Sequence, residues 1–369
     1  MSPRLRLPLL LLALAACTSG ERAAAAADPG PAGADSAAVS DSASGAVAET
    51  PGAVAEAPDA AAAERAPNEL GRVMVLEYHL VGDKEARWER ERGRFRRDLQ
   101  LLYDRGYRPV TMAEFVDKKL DLPRGLSPVV FTFDDASPSQ FRYVERNGKL
   151  EIDPTSMMGI WLDFAKTHPG WGNKAVMCML SGAEVGRSFF GNKGIEGQKT
   201  EWRFEKVRFL AEQGFELCNH TLWHAQLSKY SDAFVQEQIA RLQMAVDSAV
   251  PGYRIRTMAL PLGLWPKNRQ LAWKGSWKDP KSGRVISYDH DAVLEVAGGP
   301  TRSPHDPATK VPGSFFRVQV YANELERTLD HLDRSGTRYV SDGDPRSVAR
   351  PVPAPAVGAS AGSTPAGAR

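Results

Sequence analysis

The chain has 369 residues, 42% of them hydrophobic and 25% charged, with a formal net charge of +2 and three cysteines. This apolar content excludes wholesale disorder, the near-neutral balance excludes a dedicated nucleic-acid binder, and three cysteines make no disulfide framework. The body of the chain has no continuous apolar run of about twenty residues, which excludes an internal membrane span.

Arg4 and Arg6 precede an apolar stretch from Leu7 to Ala16 that is too short to cross a bilayer, the layout of a secretory signal. It closes on Leu14-Ala15-Ala16-Cys17, which resembles the bacterial lipobox. That resemblance implies a signal over residues 1–17 with lipidation of Cys17, and more than one acyl chain would hold the protein stably at a membrane. Thr18 follows the cysteine in place of aspartate, which by analogy favours the outer membrane of a cell with two. Residues 18–67 are mostly Ala with Gly, Pro, Ser and scattered acids. Pro31, Pro51 and Pro58 interrupt the tract and bulky apolar residues are missing, so it reads as a flexible linker. Residues 346–369 repeat that style as a tail. The folded unit is expected over 68–345 as one domain, with a monomer as the default state.

Within that unit short β-like runs alternate with helical patterns. Val73 to His79 reads as a buried strand. Residues 94–105 put Phe95, Leu99, Leu102 and Tyr103 on one helical stripe that Gly106 stops. Thr111 and Glu114 have capping-box spacing, opening a helix to about Lys119. Val129 to Asp135 is a second apolar run, and further strands are expected at 174–180, 215–220, 256–262, 292–296 and 316–321. A helix over 232–248 carries Val235, Ile239, Leu242 and Val246 in step. This alternation predicts an α/β fold, a parallel sheet covered by helices, open or closed into a barrel, with chemistry where strands end.

Two strand ends carry that chemistry. Val129-Val130-Phe131-Thr132-Phe133 runs straight into Asp134-Asp135. A buried carboxylate needs compensation, and a metal ion supplies it if one aspartate is a ligand and the other a base. Phe215 to His220 is another strand end, followed by Thr221-Leu222-Trp223-His224. Histidines four apart on one helical turn pinch a single cation, and Asp plus two His leave a position open, as in catalytic zinc sites. The alternative readings are a strand ending at a polar turn and two surface histidines.

Thr132-Phe133-Asp134-Asp135 with His220-Thr-Leu-Trp-His224 resembles the polysaccharide deacetylases, the NodB-like carbohydrate esterase family four. The resemblance extends over most of residues 73–342, including Tyr78-His79 and Arg338-Tyr339-Val340. It implies a distorted (β/α) barrel that removes N- or O-acetyl groups from glycans. It also implies Asp134 as general base, Asp135, His220 and His224 as ligands of a divalent metal, and zinc as that metal, with cobalt, nickel or manganese also suited. The family's third motif falls on Ala259-Leu260-Pro261-Leu262-Gly263, which makes Pro261, Gly263 and the following Trp265 candidates for substrate contact.

Three departures stand against that pattern. Ala136 replaces the glycine that ends the first motif, a mild change if the turn there demands no positive φ. Ala259 occupies the position of the arginine that orients the base, with Arg254 or Arg256 as candidate substitutes. The family's acid histidine, in an L-x-H motif, has no counterpart on the strand at 316–321. Leu329-Asp330-His331 matches the letters but lies on a helix with Leu325, Leu329 and Leu332 inward. At about 100° per residue, His331 falls about 240° from Leu325. His79 is the leading candidate acid, ahead of His290 and His305.

Trp161, Trp171, Phe189, Phe190 and Trp202 between the metal motifs, with Trp223 and Trp265, are candidates for a sugar-stacking groove or for core. Cys178 and Cys218 lie in predicted strands and are expected as buried free thiols, although export would permit a disulfide. No Gly-x-Ser-x-Gly elbow is present, which disfavours a serine esterase. The expectation is a membrane-tethered, metal-dependent deacetylase acting on an acetylated polysaccharide, with no nucleic-acid partner. The alternatives are a glycan-binding lipoprotein that keeps the fold without turnover, and a hydrolase of another amide or ester.

Overall fold

The computed structural model describes residue 62 and residues 64–182, 188–191 and 197–351. The expected leader with Cys17, most of the linker and the tail from 352 lie outside these residues.

Runs rich in Val, Met and Phe form the central strands: β1 (Arg72–Tyr78), β2 (Ser127–Phe133), β3 (Ala175–Met179), β4 (Glu216–Asn219), β5 (Thr257–Ala259) and β6 (Ala292–Leu294). Two short strands follow, β7 (Gly313–Phe315) and β8 (Val318–Gln319). The strands pair in that order and all in parallel, with Met74 opposite Val129, Phe131 opposite Ala175 and Cys178 opposite Cys218. Met258 then faces Asn219, and Thr257 faces Ala292. The closure lies in the last segment. β7 pairs with β6, whereas β8, only Phe316 and Arg317 further on, pairs with β1. One stretch of chain therefore joins the two ends of the sheet into a nearly closed, distorted (β/α) barrel. The expected single strand at 316–321 starts earlier and is split because its two halves serve different neighbours.

Period-two alternation sorts the side chains. Met74, Leu76, Tyr78, Val129, Phe131 and Phe133 join one buried cluster with the inner faces of helices α1 (Arg92–Asp104) and α3 (Met157–Thr167). Val73, Val75, Val130, Val176, Cys178, Cys218, Ala259 and Leu294 form a second cluster inside the barrel. Cys178 and Cys218, opposed in register with Cα atoms 4.2 Å apart, are paired as a disulfide, which corrects the expectation of free thiols.

Between them, α2 (Met112–Val116) opens with the expected Thr111–Glu114 capping box but ends before Lys119, because Lys118 takes a left-handed φ of 60°. Helix α4 (Arg203–Glu212) precedes β4, and α5 (Asp232–Ala249) buries Val235, Ile239, Leu242 and Val246 as the stripe predicts. Each such aliphatic side chain contributes roughly 1.5–3 kcal/mol by burial. Helix α6 (Glu324–Ser335) buries Leu325, Leu329 and Leu332 and leaves His331 exposed, so Leu329-Asp330-His331 lies within a helix and not at a strand end. Glu69 and Ala349 exchange hydrogen bonds, carrying the folded unit past the expected boundary at 345. Among the described residues no helix is long and apolar enough to cross a membrane.

Candidate active site

The inward-facing columns of the barrel end in polar groups at one mouth. Val73 and Val75 lead to Glu77, Val130 leads to Thr132 and Asp134, Cys218 leads to His220, and Phe315 leads to Arg317. Asp134, Glu77, His220 and Arg317 are all buried. Four hydrogen bonds and one ion pair from one guanidinium hold this layer together. Arg317 Nη1 donates to Asp134 Oδ1 at 2.9 Å and Thr132 Oγ1 at 3.0 Å, and Nη2 donates to Asp134 Oδ2 at 2.9 Å. Nη2 also lies 2.6 Å from Glu77 Oε1, and Nε donates to the Glu295 carbonyl at 2.7 Å. A bidentate fork of this kind fixes the carboxylate plane.

Arg317 thus stands against Asp134, where Arg254 and Arg256 were the candidate substitutes. Those two pair elsewhere, Arg256 with Asp117 and Asp291, and Arg254 with Asp291. Burial alone would push the Asp134 carboxyl up, but the Arg317 guanidinium and then His220 and His79 hold it well below the usual carboxylate range. Burial lifts Glu77 to about 7 against the pull of Arg317, with the Asp134 charge adding to the rise.

Gln140, fully buried in the loop after β2, clamps two strand ends. Its Nε2 donates to the backbone carbonyls of His79 at 2.6 Å and Asp134 at 2.5 Å. Gln140→Leu leaves both carbonyls unpaired and is expected to lower the unfolding free energy by roughly 1–3 kcal/mol. Turnover should fall with it while metal content stays unchanged. Denaturant unfolding beside metal analysis checks this, and wild-type values in both stability and turnover would refute the clamp.

The two histidines converge by a bend instead of the expected helical turn. Thr221 and His224 have φ of 68° and 60°, and Asp135 and Ala136 have 75° and 48°. The turn after β2 therefore does demand positive φ at Ala136, which costs roughly 1–2 kcal/mol that glycine would avoid. Hydrogen bonds hold the bend: Asn219 Oδ1 accepts from Thr221 N at 2.9 Å, and Gln238 on α5 accepts from Trp223 N at 3.2 Å. His220 Nδ1 bonds the Ala259 carbonyl at 2.9 Å, which turns Nε2 inward. Among the described residues that buried nitrogen has no hydrogen-bond partner, and it lies 3.4 Å from Asp135 Oδ1, with His224 Nε2 3.7 Å from the same oxygen. The donor atoms of Asp135, His220 and His224 all lie within 4.8 Å of one another. One carboxylate, two imidazoles and an orphaned buried nitrogen fit a divalent cation. Glu77, His79 and Asp134 converge as closely, but the Arg317 guanidinium already supplies the positive charge there.

These groups open into one cleft of about 580 Å³, which Arg87, Trp88, Leu260, Leu262 and Val296 also line. His79 lines it, from the end of β1. His290 is buried on the Ala272 carbonyl, His305 packs near Tyr339, and neither reaches the cleft. The third motif contributes Leu260 and Leu262 in place of the expected Pro261, Gly263 and Trp265. Pro261 is buried, and a side chain on Gly263 would collide with Val296. Trp265 donates to the Glu295 carboxylate at 3.1 Å and packs on Trp273. Trp161, Trp171, Phe189, Phe190 and Trp202 are core, the second of the two readings, and Trp223 packs on Phe234. The exposed indole at the mouth is Trp88, which the sequence reading passed over. Arg317 was missed because the strand carrying it was searched for a histidine.

Residues 171–274 match the family model described as Polysaccharide deacetylase. Over that span the chain is similar to the NodB-type polysaccharide deacetylases. The deacetylase match takes in His220, His224 and the 259–263 motif, and it begins after Asp134-Asp135. Curated relatives include a chitooligosaccharide deacetylase of Bradyrhizobium, 33% identical over 31% of this chain and 51% of that protein. Another, from Sinorhizobium fredii, is 29% identical over 24% of this chain and 40% of the relative. The chain thus spans about half the length, or less, of the curated relatives it matches. Among solved structures, a Streptococcus pyogenes deacetylase in complex with acetate covers 70% of this chain and 97% of its own, at 16% identity and a TM-score of 0.49.

Proposed function

We propose that this protein is a metal-dependent deacetylase that removes N- or O-acetyl groups from a cell-envelope or extracellular polysaccharide. The observation that carries this reading is Asp134, gripped by Arg317, beside the Asp135-His220-His224 cluster in one cleft. A divalent cation held by Asp135, His220 and His224, most simply zinc, would polarise the acetyl carbonyl and make water a better nucleophile. Asp134 is kept ionised by Arg317 and takes the proton of the attacking water at a carboxylate oxygen. His79, which lines the same cleft with a ring nitrogen within 4.8 Å of an Asp134 carboxylate oxygen, is the proposed donor to the leaving nitrogen or oxygen. Gln140 fixes the spacing of those two groups through their backbones.

The N-terminal layout supports a lipid anchor at Cys17, and the Cys178–Cys218 pairing fits an exported protein, since disulfides persist in oxidising compartments. The binding-only alternative rested on the arginine missing at Ala259 and on the missing acid histidine, and Arg317 answers the first of these.

The test uses the full chain with its metal content measured. Acetate release from acetylated oligosaccharides and polysaccharides is expected, stopping with a chelator and returning with added zinc. Asp134→Asn should abolish release and keep the metal. Bound metal with no acetate from any acetylated glycan would overturn the reading in favour of a binding protein. Activity confined to small acyl substrates would overturn the glycan assignment.

A further inference from the structure

Residues 83–94, which follow β1, carry four arginines, and three are neutralised. Arg90 pairs with Glu85 and Asp98, Arg92 with Asp83, and Arg94 with Glu85. Arg87 differs. Among the described residues no carboxylate lies within ion-pairing distance of it, and its one side-chain hydrogen bond runs from Nη2 to Gln319 Oε1 at 3.2 Å. Its guanidinium lies 5.0 Å from the ring centre of Trp88 and 5.9 Å from that of Tyr321. Aromatic faces hold a cation in place without cancelling its charge. Both Arg87 and Trp88 line the cleft that holds Asp134, Asp135, His220 and His224. Trp88 is 42% exposed, and its ring centre lies 4.6 Å from that of His79.

We propose that Arg87 and Trp88 form a subsite for a sugar bearing an anionic substituent, a carboxylate or a phosphate, beside the acetylated unit. This rests on the deacetylase reading for its reaction but not for its binding. The exposed indole face covers the apolar C–H face of a sugar ring. The guanidinium, oriented by Gln319 and short of an anion, offers its fork to two oxygens of the substituent. An uncharged glycan would leave that fork to water.

The test compares matched probes on the metal-loaded full chain. One is an acetylated oligosaccharide with alternating uronic acid units, one is the same material with its carboxyl groups reduced to alcohols, and one carries phosphate instead. Wild type should favour the carboxylate or the phosphate probe over the reduced one by roughly ten-fold or more in kcat/KM, mostly through KM, as expected of a charged hydrogen bond. The better of the two names the source of the anion. Arg87→Gln should erase that preference and leave the reduced probe within about two-fold of wild type. Arg87→Lys should restore part of it. Turnover of all probes with no preference, or an Arg87→Gln loss equal on charged and reduced probes, would overturn the subsite. Calorimetric binding to metal-stripped protein separates the two readings. Arg87-dependent binding of the charged probe, with no acetate released from it once zinc is restored, would sink the deacetylase reading and keep the subsite.

Discussion

Arg317→Met is expected to destabilise the protein by roughly 3–5 kcal/mol, the usual cost of removing one partner from a buried ion pair. Turnover should be abolished as well. Asp134 and Glu77 are both buried, and the guanidinium between them is their shared counter-charge. Without it two carboxylates face each other inside the barrel and one must take up a proton. The Asp134 plane also loses the fork that aims it at the cleft. Arg317→Lys keeps a charge but offers no planar pair of donors, so it should recover part of the stability and little of the turnover. A triple variant with Arg317→Met, Asp134→Asn and Glu77→Gln removes all three charges together. It should regain most of the stability, as coordinated neutralisation of buried ionic groups does, and no activity. Denaturant unfolding and acetate release read the two effects apart. A methionine variant with an unshifted midpoint and normal turnover would refute the arginine's role.

Arg317 also shows where the sequence stopped being legible. The barrel strands were readable because β1 and β2 are long apolar runs, and the Asp134-Asp135 and His220/His224 motifs lie at strand ends. Local spacing suggested that the histidines share a helical turn. Their convergence in fact uses left-handed backbone at Thr221 and His224, which no apolar periodicity encodes. The arginine partner was sought near Ala259 because motif order suggested it. Barrel closure places β8 beside β1, so a residue nearly sixty positions further along reaches the same carboxylate. That pairing is non-local. One signal was available: Arg317 sits between Phe316 and Val318 in the segment that closes the barrel, where an unpaired charge is costly. The aromatics left open between groove and core show a related limit. Trp161 and Trp171 follow no sequence rule that separates core from groove, and only burial distinguishes them from Trp88.

His224→Gln should weaken zinc binding by about 100-fold or more, above the 10–100-fold that loss of an outer-shell partner costs. His224 is the ligand to change first, because its side chain is 28% exposed against 2% for His220, so the fold tolerates its replacement. His220→Gln should be at least as severe. Its imidazole is fixed by the Ala259 carbonyl, and a glutamine amide there has no second nitrogen to present. A ligand that binds only the folded state stabilises it by about 2.7 kcal/mol at one hundred times its dissociation constant. Wild-type protein stripped with chelator should therefore gain melting temperature on adding zinc, and both variants should gain little at the same concentration. Asp134→Asn is the control: it changes the cleft but none of the three donors, so its thermal gain should match wild type. Equal gains in wild type and both histidine variants would refute the Asp135-His220-His224 assignment, whatever happened to turnover. A gain lost in Asp134→Asn but kept in His224→Gln would move the cation to the Glu77-His79-Asp134 grouping, where the Arg317 guanidinium argues against it.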